Sequence, residues 1–199
     1  MPFLYHTMAV CAVKRIKKNI KRCGEKTLAK GVNEIIYMGM KDAQSIAFTY
    51  DADNSTLCTG IAMGAGELLF AYEGKNYSND PSVTMTETEY DKRLPHQLVI
   101  KLFSNSPATK LEIESLLTRK DLIAIYERVS GDFEGMGFNT GMKVTAFNYQ
   151  PNSDDKGAFN VTLTAADEDQ LPKTIRHKTT PGGLDDTRAF LTALVTPDV

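Results

Sequence analysis

Gln97-Leu98-Val99-Ile100-Lys101-Leu102-Phe103, then Ser106-Pro107 with Leu111, Ile113, Leu116 and Leu117, then Asp121-Leu122-Ile123-Ala124-Ile125-Tyr126: across residues 97–129 the chain reads strand, capped helix, strand. The first run is rich in β-branched and aromatic side chains, which suit a half-buried pleated surface. Ser106 is a favoured N-cap residue, and Pro107 at the first helical position gives up no donor that the helix would use. Ile113, Leu116 and Leu117 recur at helical spacing. The rest of the chain offers mainly short strands, so this one helix predicts a sheet with a covered face. It also predicts strand edges that one copy of the chain leaves without partners.

Toward the N-terminus, Glu34-Ile35-Ile36-Tyr37-Met38 reads as a strand, and Ser45-Ile46-Ala47-Phe48-Thr49-Tyr50 alternates with the period of two of a half-buried strand. Asp51-Ala52-Asp53-Asn54 is turn chemistry, Thr56-Leu57-Cys58-Thr59-Gly60-Ile61 a further short strand, and Gly64-Ala65-Gly66 a turn into Glu67-Leu68-Leu69-Phe70-Ala71-Tyr72. Residues 73–95 are polar with few large aliphatics. Within them Asn79-Asp80-Pro81 marks a turn and Val83-Thr84-Met85-Thr86-Glu87-Thr88 alternates. We expect a long polar hairpin or loop over residues 76–94, projecting from the body and pairing with a neighbouring copy. Its candidate interface residues are Tyr77, Val83, Met85, Glu87 and Tyr90.

Toward the C-terminus, residues 131–141 form a glycine-punctuated connection. Met142-Lys143-Val144-Thr145-Ala146-Phe147-Asn148-Tyr149 and Phe159-Asn160-Val161-Thr162-Leu163-Thr164-Ala165 read as an antiparallel hairpin around a turn at residues 151–157. Loop residues follow around Pro172 and Pro181-Gly182-Gly183. A short helix closes the chain, with Leu184, Leu191, Leu194 and Val195 on one face and Asp185-Asp186 at its N-terminal dipole. The fold class that follows is mainly β, a sandwich or barrel of antiparallel strands with one flanking helix and a short C-terminal helix.

A chain of 199 residues suits one domain with an arm: residues 1–24 as a basic N-terminal arm, residues 25–199 as a single β-rich domain. The net charge of −2 conceals an asymmetry. Residues 1–30 hold eight basic side chains, Lys14, Arg15, Lys17 and Lys18 among them, against Glu25 alone, a net +7; the other 169 residues hold 15 basic and 24 acidic ones, a net −9. Such an arm is expected to dock on the acidic surface of another copy, with nucleic acid and membrane surfaces as rival partners. Three cysteines with no short pairing motif fit a reducing compartment. No apolar stretch of membrane-spanning length is present, and the charges near the N-terminus follow the apolar run at residues 8–13, the reverse of a signal peptide.

No catalytic set is visible, and no cofactor or metal is expected. His6, His96 and His177 lie in three separate regions without a second ligand at metal spacing, and read as exposed loop histidines. Cys58, on an apolar strand, reads as a small core residue. Gly135-Met136-Gly137-Phe138-Asn139-Thr140-Gly141 carries its third glycine one position late for a dinucleotide loop, and a strand follows it where phosphate binding needs a helix. Asp167-Glu168-Asp169 reads as an exposed acidic turn.

The order of these elements resembles the tail tube proteins of tailed bacteriophages, especially tail proteins of phages and prophages of Bacteroides-like bacteria. The resemblance covers about residues 24–195. It rests on Cys23-Gly24 with Val32-Asn33-Glu34-Ile35-Ile36-Tyr37, Ile46-Ala47-Phe48-Thr49-Tyr50-Asp51, Leu68-Leu69-Phe70-Ala71-Tyr72-Glu73 and His96-Gln97-Leu98-Val99-Ile100 leading into Pro107. Gly137-Phe138-Asn139-Thr140-Gly141-Met142 and the strand ending at Ala165 complete it. It implies a non-enzymatic virion protein, made in the bacterial cytoplasm, whose hexameric rings join their sheets into one barrel. The barrel's lumen passes genomic DNA, and the rings stack through loops and arms onto each other and onto connector proteins. The basic arm and the added terminal helix depart from the family pattern, which keeps a terminator, head–tail connector or capsid decoration protein as the alternative. From other classes come a DNA-binding protein acting through the arm and an enzyme with a spatially assembled carboxylate site.

Overall fold

The computed structural model describes residues 31–42, 45–75, 77–89, 91–152, 157–178 and 186–195. The expected arm with Lys14, Arg15, Lys17 and Lys18, together with Tyr90, Leu184 and Asp185, lies outside the described residues. In chain order the elements are β1 (Val32–Met40), β2 (Ile46–Tyr50), β3 (Leu57–Met63), β4 (Phe70–Glu73), β5 (Asp80–Val83), β6 (Thr86–Glu87), β7 (Lys92–Arg93), β8 (His96–Leu102), α1 (Pro107–Thr118), β9 (Leu122–Arg128), β10 (Phe133–Met136), β11 (Lys143–Tyr149), β12 (Phe159–Ala165), β13 (Lys173–Ile175) and α2 (Thr187–Ala193). The described residues are mainly β with two helices.

Two sheets carry the fold. The larger runs β2-β3-β13-β10-β9-β1-β4, the smaller β11-β12-β8-β5, and β6 and β7 form a separate two-stranded hairpin. The smaller sheet alternates cleanly. Leu98, Ile100, Leu102, Phe159, Val161 and Leu163 are buried, while Gln97, Lys101, Asn160, Thr162 and Thr164 face outward. The larger sheet is buried on both faces, and this is why β9 opens as an unbroken apolar run from Leu122 to Tyr126. Leu122, Ala124 and Tyr126 turn toward the smaller sheet, and Ile123 and Ile125 turn to the opposite side.

The inter-sheet core joins Ile36, Met38, Leu98, Ile100 and Leu163 to Ile113 and Leu116 of α1. Ser106 caps α1 through its hydroxyl, which accepts from the Thr109 N–H at 3.1 Å. Tyr72 Oη donates to Glu112 Oε1 at 2.5 Å and so ties the helix to β4. Leu111 and Leu117, both read as helix apolar positions, are exposed; only Ile113 and Leu116 of α1 are buried. The second core lies on the other face of the larger sheet, where Ile46, Ile61, Leu69, Ile125 and Ile175 close around Leu191 of α2. Leu194 and Val195 pack there as the sequence leads one to expect.

The link from β3 to β4 shows that the larger sheet curls. These strands stand second and last in the order, about 24 Å apart in a flat sheet. Six residues join them, and Glu67 N–H donates back to Gly64 C=O at 3.0 Å, so the link is not extended. Curling brings the two ends of the sheet around the second core.

Several expectations are corrected. Residues 131–141 are not only a connection: Phe133–Met136 is a strand between β9 and β13. The loop expected around Pro172 contains β13, which pairs parallel with β3, an exception to the antiparallel rule of the fold. Residues 76–94 do not all project. Asp80–Val83 adds to β8 as the edge of the smaller sheet, Asn79 is buried, and Val83 packs against the inter-sheet core. The alternation from Val83 to Thr88 breaks at Thr84 and Met85, and β6 and β7 pair with each other apart from the two larger sheets.

Candidate assembly interface

Backbone groups at the rim of a sheet need partners, and among the described residues the two large sheets end in four rim strands: β2 and β4 on the larger sheet, β5 and β11 on the smaller. The longest is β11, where five of seven residues are exposed. Its inward positions Phe147 and Tyr149 stack near Phe159, with ring centroids 6.2 and 4.3 Å away, yet Phe147 remains 43% exposed. At the other sheet's rim, Phe70 of β4 is 44% exposed beside exposed Leu68. Exposed aromatic rings on rim strands are costly in water and suit strand-to-strand pairing.

Of the expected contact residues, Tyr77 and Met85 are exposed, Tyr77 at a positive φ of 66°. Glu87 forms an ion pair with Lys92 across the β6–β7 hairpin at 2.9 Å. Val83 is half-buried in its own chain's core. Met85 thus lies just before the hairpin that holds Glu87, whereas Val83 ends the edge strand β5 and Tyr77 lies in the segment before it.

A polar centre that the sequence reading missed lies where the hairpin meets the sheets. His96 was expected on an exposed loop; it is the first residue of β8 and is buried, 2% exposed. Glu168 was expected on an exposed turn and is equally buried. One Glu168 oxygen, Oε1, accepts from the Asn139 and Thr140 N–H groups, both at 3.0 Å, and from the Thr140 hydroxyl at 3.3 Å. The glycine loop thus cradles an anion, and the anion is the chain's own. Gly137 holds φ at +75°, and a Cβ there would meet Met142 Cγ at 2.5 Å, so the loop needs glycine.

His96 uses both ring nitrogens. Nε2 lies 2.8 Å from Gln170 C=O, and Nδ1 accepts from Gly137 N–H at 3.2 Å. Burial pushes this imidazole below its ordinary value. Lys173, also buried, reaches Ser55 C=O at 2.9 Å and Gln170 Oε1. The parity of β8 could have shown the histidine: His96, Leu98, Ile100 and Leu102 share one face. No local signal marks Glu168, whose partners lie 28 and 29 residues away.

Cys58 is fully buried, as read, with its thiol pushed up by burial. Among the described residues no three His, Cys, Asp or Glu side chains gather as metal ligands, and no helix is long and apolar enough to cross a membrane. A cavity of about 480 Å³ is lined by Tyr77, Asp80, Lys101, Tyr126 and Arg128. There Tyr126 Oη donates to Glu134 at 2.6 Å and Arg128 pairs with the same carboxylate at 3.2 Å. No family model, curated protein or solved structure matches this chain.

Proposed function

We propose that this chain is a structural, non-catalytic subunit that assembles with copies of itself through its sheet rims, as a component of a bacteriophage tail tube. The observation that carries this reading is the outer edge of β11, a seven-residue strand that pairs with β12 on one side and with no strand of the described residues on the other, and that is mostly exposed with a half-exposed phenylalanine. Joining such rims between copies satisfies their N–H and C=O groups and removes the aggregation hazard of an open sheet. The outward face of the smaller sheet adds support. Gln97, Lys101, Asn160, Thr162 and Thr164 make it polar, as a wall of a water-filled, DNA-conducting lumen requires.

The basic segment before residue 31 and the acidic remainder, +7 against −9, supply the attraction for stacking one ring on the next. The virion tail is the location this reading gives, with assembly in the bacterial cytoplasm. The test is negative-stain microscopy of the purified full-length chain, with sedimentation as the solution measure. Rings, or tubes of stacked rings, are expected. A monodisperse monomer at all concentrations would end the reading. A monomer that binds duplex DNA in a salt-dependent manner would replace it with nucleic-acid binding through the arm.

A further inference from the structure

Residues 166–173 form a strap across the molecule, and most of its polar groups hold a different element. Asp167 pairs with Arg93 of β7 at 2.5 Å, and Glu168 C=O accepts from Leu94 N–H at 2.7 Å, which fixes the base of the β6–β7 hairpin. The Glu168 carboxylate and Asp169 hold the loop between β10 and β11, the latter through Asn139 Nδ2 at 3.1 Å. Gln170 C=O meets His96 of β8, and Lys173 reaches Ser55 ahead of β3. His96 is the residue that touches the strap and the loop at once, and its bonds specify one protonation state. A carbonyl only accepts, so Nε2 must carry the proton. An amide N–H only donates, so Nδ1 must be bare. Imidazolium would set an Nδ1–H against the Gly137 N–H in a buried site.

We propose that His96 is an acid-sensitive pin: neutral, it locks the strap to the loop and to the smaller sheet, and protonated at Nδ1 it releases the loop and loosens the strap that seats the β6–β7 hairpin. The inference stands on this chain's own contacts, independently of whether copies assemble.

The surroundings favour the neutral ring. Across the ladders His96 meets Val83 of β5 and Ala165 of β12, both apolar. The loop from Gly137 to Gly141 contributes no ionisable group. The Gln170 carbonyl and Glu168 of the strap favour protonation, Lys173 opposes it, and burial, the largest influence, leaves the neutral ring favoured. Arg93 is held by Asp91 and Asp167, and Tyr50 and Cys58 of the adjoining strands lie on the Lys173 side. With the folded value lowered, the native state binds fewer protons than the unfolded chain. The stabilisation is therefore complete above the unfolded value of about 6.5 and is lost as the pH falls below it toward the folded value.

The experiment is NMR of the full-length chain between pH 7.5 and 5, following the His96 ring nitrogens and exchange of the Gly137 amide. Expected are the Nε2–H tautomer at neutral pH, a midpoint below about 6.5, and loss of Gly137 protection in step with that titration. In parallel, the unfolding constant in urea rises on acidification in the wild type. It stays flat over the same window in His96→Asn, whose Oδ1 stands in for Nδ1 and gains no proton. A ring that titrates at its ordinary value, the opposite tautomer, or a Gly137 amide that stays protected after protonation would each overturn the proposal. The wild-type measurement decides it even if the variant does not fold.

Discussion

Glu168 puts a carboxylate where almost no water reaches, and it is tolerable there because one oxygen takes three donors from Asn139 and Thr140. Removing it does more than delete bonds. In Glu168→Ala two backbone N–H groups of the loop lose their acceptor, and each hydrogen bond to a charged group is worth about 1.5–3 kcal/mol. The expected loss is about 2–4 kcal/mol in urea unfolding, with Glu168→Gln losing less because its amide oxygen still accepts. If Glu168→Ala matches the wild type, the carboxylate is not what orders the glycine loop. Close approach explains a second residue-scale choice. A Cβ on Gly135 would lie 2.2 Å from the Phe138 ring, which stacks on Phe48 at a centroid distance of 4.1 Å. At this scale the sequence is least legible, because residue type alone does not reveal partners about thirty positions away. Glu168 is the plainest instance; His96 differs, since strand parity pointed inward.

At the scale of elements, legibility follows periodicity. The strand–helix–strand unit could be read because β8 alternates, Ser106 caps, and β9 is apolar from Leu122 to Tyr126. The strands β10 and β13 could not, for a physical reason. They are four and three residues long, β10 carries a glycine, and their strand character comes from the neighbours that pair with them. The residues at and just before β5 looked too polar to pack, yet Asn79 donates to Glu34 C=O at 3.1 Å, so polarity was satisfied inside the chain. Two predictions belong here. Ser106→Ala should cost about 1 kcal/mol by loss of the helix cap, measured by chemical denaturation, with the fold unchanged in circular dichroism. Phe147→Lys, on the rim strand β11, should leave monomer stability within about 0.5 kcal/mol of the wild type and abolish association in sedimentation, because charge on an open strand blocks edge pairing. Undiminished association would remove β11 from the interface.

At the scale of the whole molecule, the proposed assembly uses two kinds of contact, and they respond differently to salt. Rim-to-rim pairing rests on backbone hydrogen bonds and buried rings, which ions screen little. Docking of the basic arm rests on long-range attraction between +7 in residues 1–30 and −9 in the remainder. That attraction is cut as the screening length falls from about 10 Å at 0.1 M salt to about 3 Å at 1 M. Raising the salt should therefore separate stacks while leaving single rings intact. Deleting residues 1–22 should do the same at low salt, because six of the eight basic side chains go with it. Electron microscopy distinguishes the two levels directly, tubes becoming rings in both cases, whereas Phe147→Lys removes rings altogether. A truncated chain that stacks as well as the full one, with the same salt response, would show that the arm takes no part. The stacking force would then have to lie in the loops of the body, with the β6–β7 hairpin the first to examine.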